Sequence, residues 1–161
     1  MTLQAGKVDC CVLANNHTAD WGFEGLKETV TTLMSAHIAF AGAGFNAAAA
    51  ATPAVFQLSS GRGRVLVFSA GHYSSGVPAE WRAKDDREGV NIIDIDDPNS
   101  SVPKLKKQIG TMLTQSHDVF FILHDVLSQS LSLFFFQHVN DSQPVKTKDG
   151  MEASIVSTAA H

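Results

Sequence analysis

Two short apolar runs flank a helical period in the first 41 residues, and that order restricts the fold more than any other feature of the chain. Val8 to Leu13 is apolar and partly β-branched, which suits a buried strand. Phe23, Leu26, Val30, Leu33 and Met34 then fall on one face of an α-helix. Glu24 stands in the first turn of that helix, where the helix dipole favours a negative charge. Ile38 to Ala41 reads as a second strand, closed by Gly42-Ala43-Gly44. A strand, a helix and a strand in succession favour a parallel sheet with the helix on its face, so the predicted class is α/β with layered architecture.

Beyond this unit the spacing predicts a short helix over Asn46 to Ala51, ended by Thr52-Pro53. Ala54 to Leu58 and Arg64 to Ser69 flank a glycine-containing stretch and read as a β-hairpin. Gly61-Arg62-Gly63-Arg64 is accordingly a hairpin turn before it is a phosphate contact. Gly71 to Asn91 lacks periodicity and reads as a long loop of the kind that carries function. Ile92 to Ile95 is a strand candidate. Ser100 or Ser101 can cap a helix with Pro103 in its first turn and Val102, Leu105, Ile109, Met112 and Leu113 on its apolar face. Asp118 to Leu123 is a further buried strand. Phe134 to Phe136 is an aromatic cluster, suited to a core or an interface. From Asn140 the chain is polar and aperiodic, which divides it into a folded part over 1–137 and a disordered tail over 138–161.

Composition narrows the function classes. With 44% hydrophobic and 17% charged residues, the chain of 161 residues is not of the disordered, highly charged kind. Twelve Lys and Arg against 16 Asp and Glu give a formal charge of −4, so no basic field exists to attract nucleic acid. No apolar run approaches the roughly 20 residues that span a bilayer. The N-terminus lacks the charged start and apolar core of a signal peptide, and the chain as it stands is expected to be cytoplasmic. Cys10 and Cys11 are adjacent; strand neighbours point to opposite faces, so they read as buried structural thiols and not as a disulfide.

The chemistry concentrates in the turn after the first strand. Asn15, Asn16, His17 and Asp20 offer two amide oxygens, an imidazole and a carboxylate at the carboxyl end of a strand, where α/β sheets place ligands. Amide oxygens suit divalent metals, and a neighbouring histidine can protonate a leaving group. The same residues also suit an Asn-rich turn with local backbone hydrogen bonds. His72 reads as a substrate or metal contact, or as a plain loop residue. Trp81 reads as an amphipathic loop anchor or as a ligand-stacking platform. No GxSxG elbow, Walker loop or Rossmann glycine fingerprint is present.

Leu13-Ala14-Asn15-Asn16-His17-Thr18-Ala19-Asp20-Trp21-Gly22-Phe23-Glu24-Gly25-Leu26, with Thr29, resembles the "LANNHxxDxGxxGLxxT" block of the CapA family of capsule synthesis proteins, linked to poly-γ-glutamate biosynthesis. Ile38 to Gly44 with Asn46, then Ser74 to Ala83, then Arg87-Glu88-Gly89-Val90-Asn91, resemble further blocks of that family in the same order. The resemblance covers about Val8 to Leu123 and implies a layered sandwich similar to calcineurin-like metallophosphatases. By it, Asn16 would ligate a divalent metal (Mn, Fe or Zn) and His17 would protonate the leaving oxygen of a phosphorylated substrate. Asp20 would orient His17 or close the turn, and His124 would match a metal-ligand position. The family's opening strand with an acidic Gly-Asp turn and its closing Gly-His-x-x-His-like segment have no counterpart here, so the resemblance implies an incomplete domain. Three readings follow: a metal-dependent phosphoester hydrolase, a non-catalytic accessory or binding module that assists a membrane synthase and contacts polyglutamate, and a non-functional fragment.

Overall fold

Strand β1 (Val8–Val12) carries both layers of the core, because its side chains alternate between two apolar surroundings. The computed structural model describes residues 2–58, 63–94 and 103, together with the backbone of 119–124 and 135–137. A short helix, α1 (Thr2–Ala5), precedes β1 and has no periodic signature in the sequence. Cys11 and Leu13 pack on helix α2 (Gly22–Ser35) through Leu26, Val30 and Leu33. Cys10 and Val12 face the other way, onto Ala54, Val65 and Val67. The adjacent cysteines therefore lie on opposite faces, both buried and both free thiols, as the strand period requires. Each buried helix residue contributes about 1.5–3 kcal/mol of apolar burial, so this face, not the charged surface of α2, holds the helix.

Helix α2 ends in two characteristic hydrogen bonds, Ile38 N–H to the Leu33 carbonyl at 3.0 Å and His37 N–H to the Met34 carbonyl at 3.1 Å. This is a Schellman closure, with His37 at φ 57° in the left-handed position that glycine usually occupies. The chain then re-enters the sheet as β2 (Ala39–Ala41), parallel to β1 with Cys10 opposite Ala39 and Val12 opposite Ala41. The strand–helix–strand expectation holds here.

The sheets are mixed. β3 (Ala43–Gly44) follows β2, then α3 (Ala47–Ala51), whose first turn is capped by the Asn46 side chain accepting the Ala49 N–H at 2.8 Å. β4 (Ala54–Gln57) and β5 (Arg64–Ala70) form the antiparallel hairpin that the sequence predicts. β6 (Gly89–Val90) pairs antiparallel with β3. β7 (Val119–His124) runs parallel to β5, and β8 (Phe135–Gln137) runs antiparallel to β1. Among the described residues these strands form two three-stranded sheets, ordered β2-β1-β8 and β4-β5-β7, together with the β3-β6 pair. Cys10, Val12 and Ala41 of the first sheet pack against Ala54, Val65 and Val67 of the second, which places α2 outside a sheet-on-sheet core.

Residues 71–91 are not the irregular loop that their composition suggests. They hold two 3-10 turns, Tyr73–Ser75 and Ala79–Trp81, besides β6. Side-chain fasteners explain the order. Arg82 donates to the Ile92 carbonyl and to the Tyr73 hydroxyl. Arg87 donates to the carbonyls of Glu80 at 2.6 Å and Arg82 at 3.1 Å, and its guanidinium lies 4.4 Å from the centre of the Phe23 ring. Such fasteners have no period and leave no trace in a hydrophobicity pattern. In the candidate strand at Ile92, that residue makes an isolated bridge to Gly71, and Ile95 lies outside the described residues. The helix expected over 102–113 lies outside them too, apart from Pro103, as does the tail over 138–161. Among the described residues no helix is long and apolar enough to cross a membrane.

Candidate functional site

The strand ends converge. Leu13 N–H donates to the Ala41 carbonyl at 2.8 Å, tying β1 to β2, and Ala14 N–H donates to the Ser69 hydroxyl at 3.4 Å, tying β1 to β5. Gly42 sits between them at φ 93°; a Cβ there would lie 2.6 Å from Ser69 Oγ and 2.7 Å from Ala14 Cβ. Only glycine permits that approach. Asn91 clasps the same point: its N–H donates to the Gly42 carbonyl at 2.8 Å, and its side-chain amide donates to the Ser69 carbonyl at 2.8 Å. Its own carbonyl accepts the Gly71 N–H at 2.9 Å. His124 joins this end by register, opposite Ala70.

The corner that leaves β1 is built by local hydrogen bonds. Asn15 Oδ1 accepts the His17 N–H at 2.9 Å, and the Thr18 hydroxyl donates to the Leu13 carbonyl. The turn reading therefore accounts for Asn15 and Thr18. His17 Nδ1 lies 2.9 Å from Asp20 Oδ2, and both side chains are nearly half exposed. An ionised carboxylate only accepts, so Nδ1 carries the ring proton and Asp20 fixes the orientation of His17. Asn16 is partly buried against Gly76, whose φ is 81°; a Cβ on Gly76 would stand 3.3 Å from Asn16 Nδ2. The Ser74-Ser75-Gly76 turn thus closes over the corner.

His72 belongs to that turn and is buried. Its Nδ1 accepts the Ser74 N–H at 3.2 Å and lies 2.8 Å from the Ser74 hydroxyl, while Ser75 Oγ donates to the His72 carbonyl at 2.6 Å. A backbone N–H only donates, so the neutral ring carries its proton on Nε2. Trp81 packs against two apolar clusters, that of α2 and that of Ala14, Val77, Val90 and Ile92. The structure thus brings Asn16, His17 and Asp20 together beside Gly76, sets His72 and His124 at the same strand ends, and packs Trp81 as an anchor. Ser69 and Asn91, which hold those ends together, carry no local signal that a single sequence would single out.

The thiols are not donors. Burial, with lesser contributions from Cys11 and Asp9, pushes the Cys10 thiol up to about 12, and burial also raises Cys11. Among the described residues no group of three or more His, Cys, Asp or Glu side chains is placed to hold a metal ion. A two-ion centre needs several such donors around ions roughly 3.5–4 Å apart. The Asn15 oxygen and His17 Nδ1 are already engaged within the turn. The described donor set therefore does not by itself fit a divalent metal centre.

Comparison with known proteins places the chain. The sequence model of the family described as "Bacterial capsule synthesis protein PGA_cap" matches residues 1–126. Two curated proteins of Mycobacterium tuberculosis, from strains CDC 1551 / Oshkosh and ATCC 25618 / H37Rv, are each 44% identical over 91 residues, which is 56% of this chain and 24% of theirs. Both are named "Probable polyglutamine synthesis accessory protein". The chain spans about a quarter of the length of these relatives. With the family blocks present in order and the family model matched over most of its length, the chain belongs to the PGA_cap family of bacterial capsule synthesis proteins.

Proposed function

We propose that this chain is a non-catalytic accessory module in the synthesis of a capsule polymer of the polyglutamate kind, and that the β1 corner receives an anionic oxygen of its ligand. The observation that carries the reading is the His17–Asp20 pair, 2.9 Å apart and open to solvent beside Asn16 where the strand ends meet. With Asp20 on Nδ1, Nε2 is the ring atom left for a ligand, and it donates to a carboxylate or phosphate oxygen when the ring is charged. The Asn16 amide supplies further donors beside it. His72, buried and with its proton on Nε2, is a poor metal ligand, since a ligating histidine donates its other N–H to a second group. The names of the relatives support the accessory role, and a membrane synthase is the partner such a role implies.

A second reading, metal-dependent phosphoester hydrolysis on a metallophosphatase-like sandwich, is supported by the Asn16-His17 step and by the carboxylate behind the imidazole. There His17 would pass its Nε2 proton to the leaving oxygen, and Asn16 and His124 would be ligands to Mn, Fe or Zn. The donor set described above is too small for that centre, which is why the accessory reading is preferred.

Calorimetric titration of the full chain with poly-γ-glutamate and with inorganic phosphate tests the proposal. Saturable binding that weakens severalfold in His17→Gln, without turnover of an artificial phosphodiester in Mn²⁺ or Zn²⁺, is the expected result. Turnover that disappears in His17→Ala would establish the hydrolase reading instead. Neither binding nor turnover would remove both.

A further inference from the structure

β1 has two hydrogen-bonding edges, and only one is covered by the family-matching strand–helix–strand unit. With both edges paired its residues Cys10, Cys11 and Val12 are at most 4% exposed, so their backbone groups find partners in the protein and not in water. β2 covers one edge through the Cys10–Ala39, Cys11–Phe40 and Val12–Ala41 register. The other edge is covered by β8, with Phe136 opposite Cys10, Phe135 opposite Cys11 and Gln137 opposite Val8, and with an irregular step between Val8 and Cys10. The family match ends at residue 126, and β8 begins at Phe135. The strand that completes the first sheet therefore comes from outside the family-matching region.

The sequence of that segment fits the role. Between Val126 and Asn140 there is no Asp, Glu, Lys or Arg, and Phe134 to Phe136 is an aromatic run of strong strand propensity. Left unpaired, such a run is an aggregation hazard; paired on β1, its backbone is satisfied. We infer that the outer edge of β1 is a strand-accepting surface occupied by this chain's own Phe135–Gln137, and that this strand is a sheet-closing element supplied from beyond the family-matching region. Because β1 leads directly into Ala14 to Asp20, this strand also steadies the corner from the side opposite β2. The inference concerns this strand alone and stands whether or not the proposed function does.

Hydrogen exchange on the full chain tests it. In Phe135→Pro and Phe136→Pro, one of which removes the β8 donor that faces β1, the β1 amides directed at β8 are expected to exchange roughly tenfold faster or more in at least one variant, while α2 and the β4–β5 hairpin stay protected. Phe136→Leu, which keeps the donor, should leave β1 protection unchanged. Independently, Val8→Cys with Gln137→Cys places two thiols at directly opposed positions and should cross-link under mild oxidation, whereas Val8→Cys alone should not. Unchanged exchange of β1 in both proline variants, or failure of the double-cysteine chain to cross-link, would overturn the inference. If the proline variants unfold throughout, the cross-link decides.

Discussion

His17 and His72 hold their ring protons on opposite nitrogens: Asp20 Oδ2 takes the Nδ1–H of His17 at 2.9 Å, whereas His72 Nδ1 accepts the Ser74 N–H at 3.2 Å. Two histidines at one end of the strands are thereby prepared for different work. Nitrogen-detected NMR of the side chains should find the Nδ1–H form at His17 and the Nε2–H form at His72 when both rings are neutral. Asp20→Asn should weaken the preference at His17 by roughly fivefold, the ratio that about 1 kcal/mol of hydrogen bonding supports, and leave His72 as it was.

Asn91 joins the strand ends at Gly42, Ser69 and Gly71. Asn91→Ala removes the donor to the Ser69 carbonyl and leaves that buried acceptor short of a partner, with an expected loss of about 1–3 kcal/mol of unfolding free energy. Asn91→Asp should be worse, since a carboxylate would face the same carbonyl. Urea unfolding of the three proteins, compared by midpoint at constant slope, checks the order.

Gly42 and Gly76 both hold positive φ, yet they differ in what surrounds them. At Gly42 a methyl group would meet Ser69 Oγ at 2.6 Å and Ala14 Cβ at 2.7 Å, so Gly42→Ala should cost about 3 kcal/mol through backbone strain and overpacking together. At Gly76 the nearest atom is Asn16 Nδ2 at 3.3 Å, and Gly76→Ala should cost only about 1–2 kcal/mol while displacing Asn16. Thermal melts rank the two. Loss of ligand binding in Gly76→Ala at retained fold would show that the Asn16 contact matters.

His37→Gly should stabilise the chain. The residue occupies the left-handed position of the Schellman closure at φ 57°, and glycine relieves that strain by about 0.5–1 kcal/mol. A higher melting temperature with unchanged circular dichroism is the expected outcome.

The thiols set an alkaline limit. Cys10 is raised from 9.0 to about 12 in the folded chain, so the native state keeps a proton that the unfolded state loses above pH 9.0. Stability from this source is intact below pH 9.0 and falls as pH rises toward 12, by about 1.4 kcal/mol per pH unit for a fully shifted thiol. Cys10→Ala should flatten that decline in urea midpoints taken from pH 8 upward. Both cysteines should resist a thiol reagent until the protein is unfolded.

Elements whose information is local and periodic could be read from the amino-acid order alone. The apolar run of β1, the apolar stripe of α2, the short alanine helix and the hairpin of β4 and β5 are each written within a dozen or so residues. The Asn15 to Asp20 corner stood out locally as well, as a run of polar side chains directly after a strand; a place for Asp20 behind His17 followed from the family resemblance and not from the spacing. Tertiary structure decided what depends on residues far apart in the chain. That Asn91 clasps Gly42 and Ser69, that Gly76 lies on Asn16, and that Arg87 covers Phe23 are contacts made by single side chains with no period to betray them. The same holds for β8: an aromatic run declares that it must be paired, but only the open edge of β1 in three dimensions says with what.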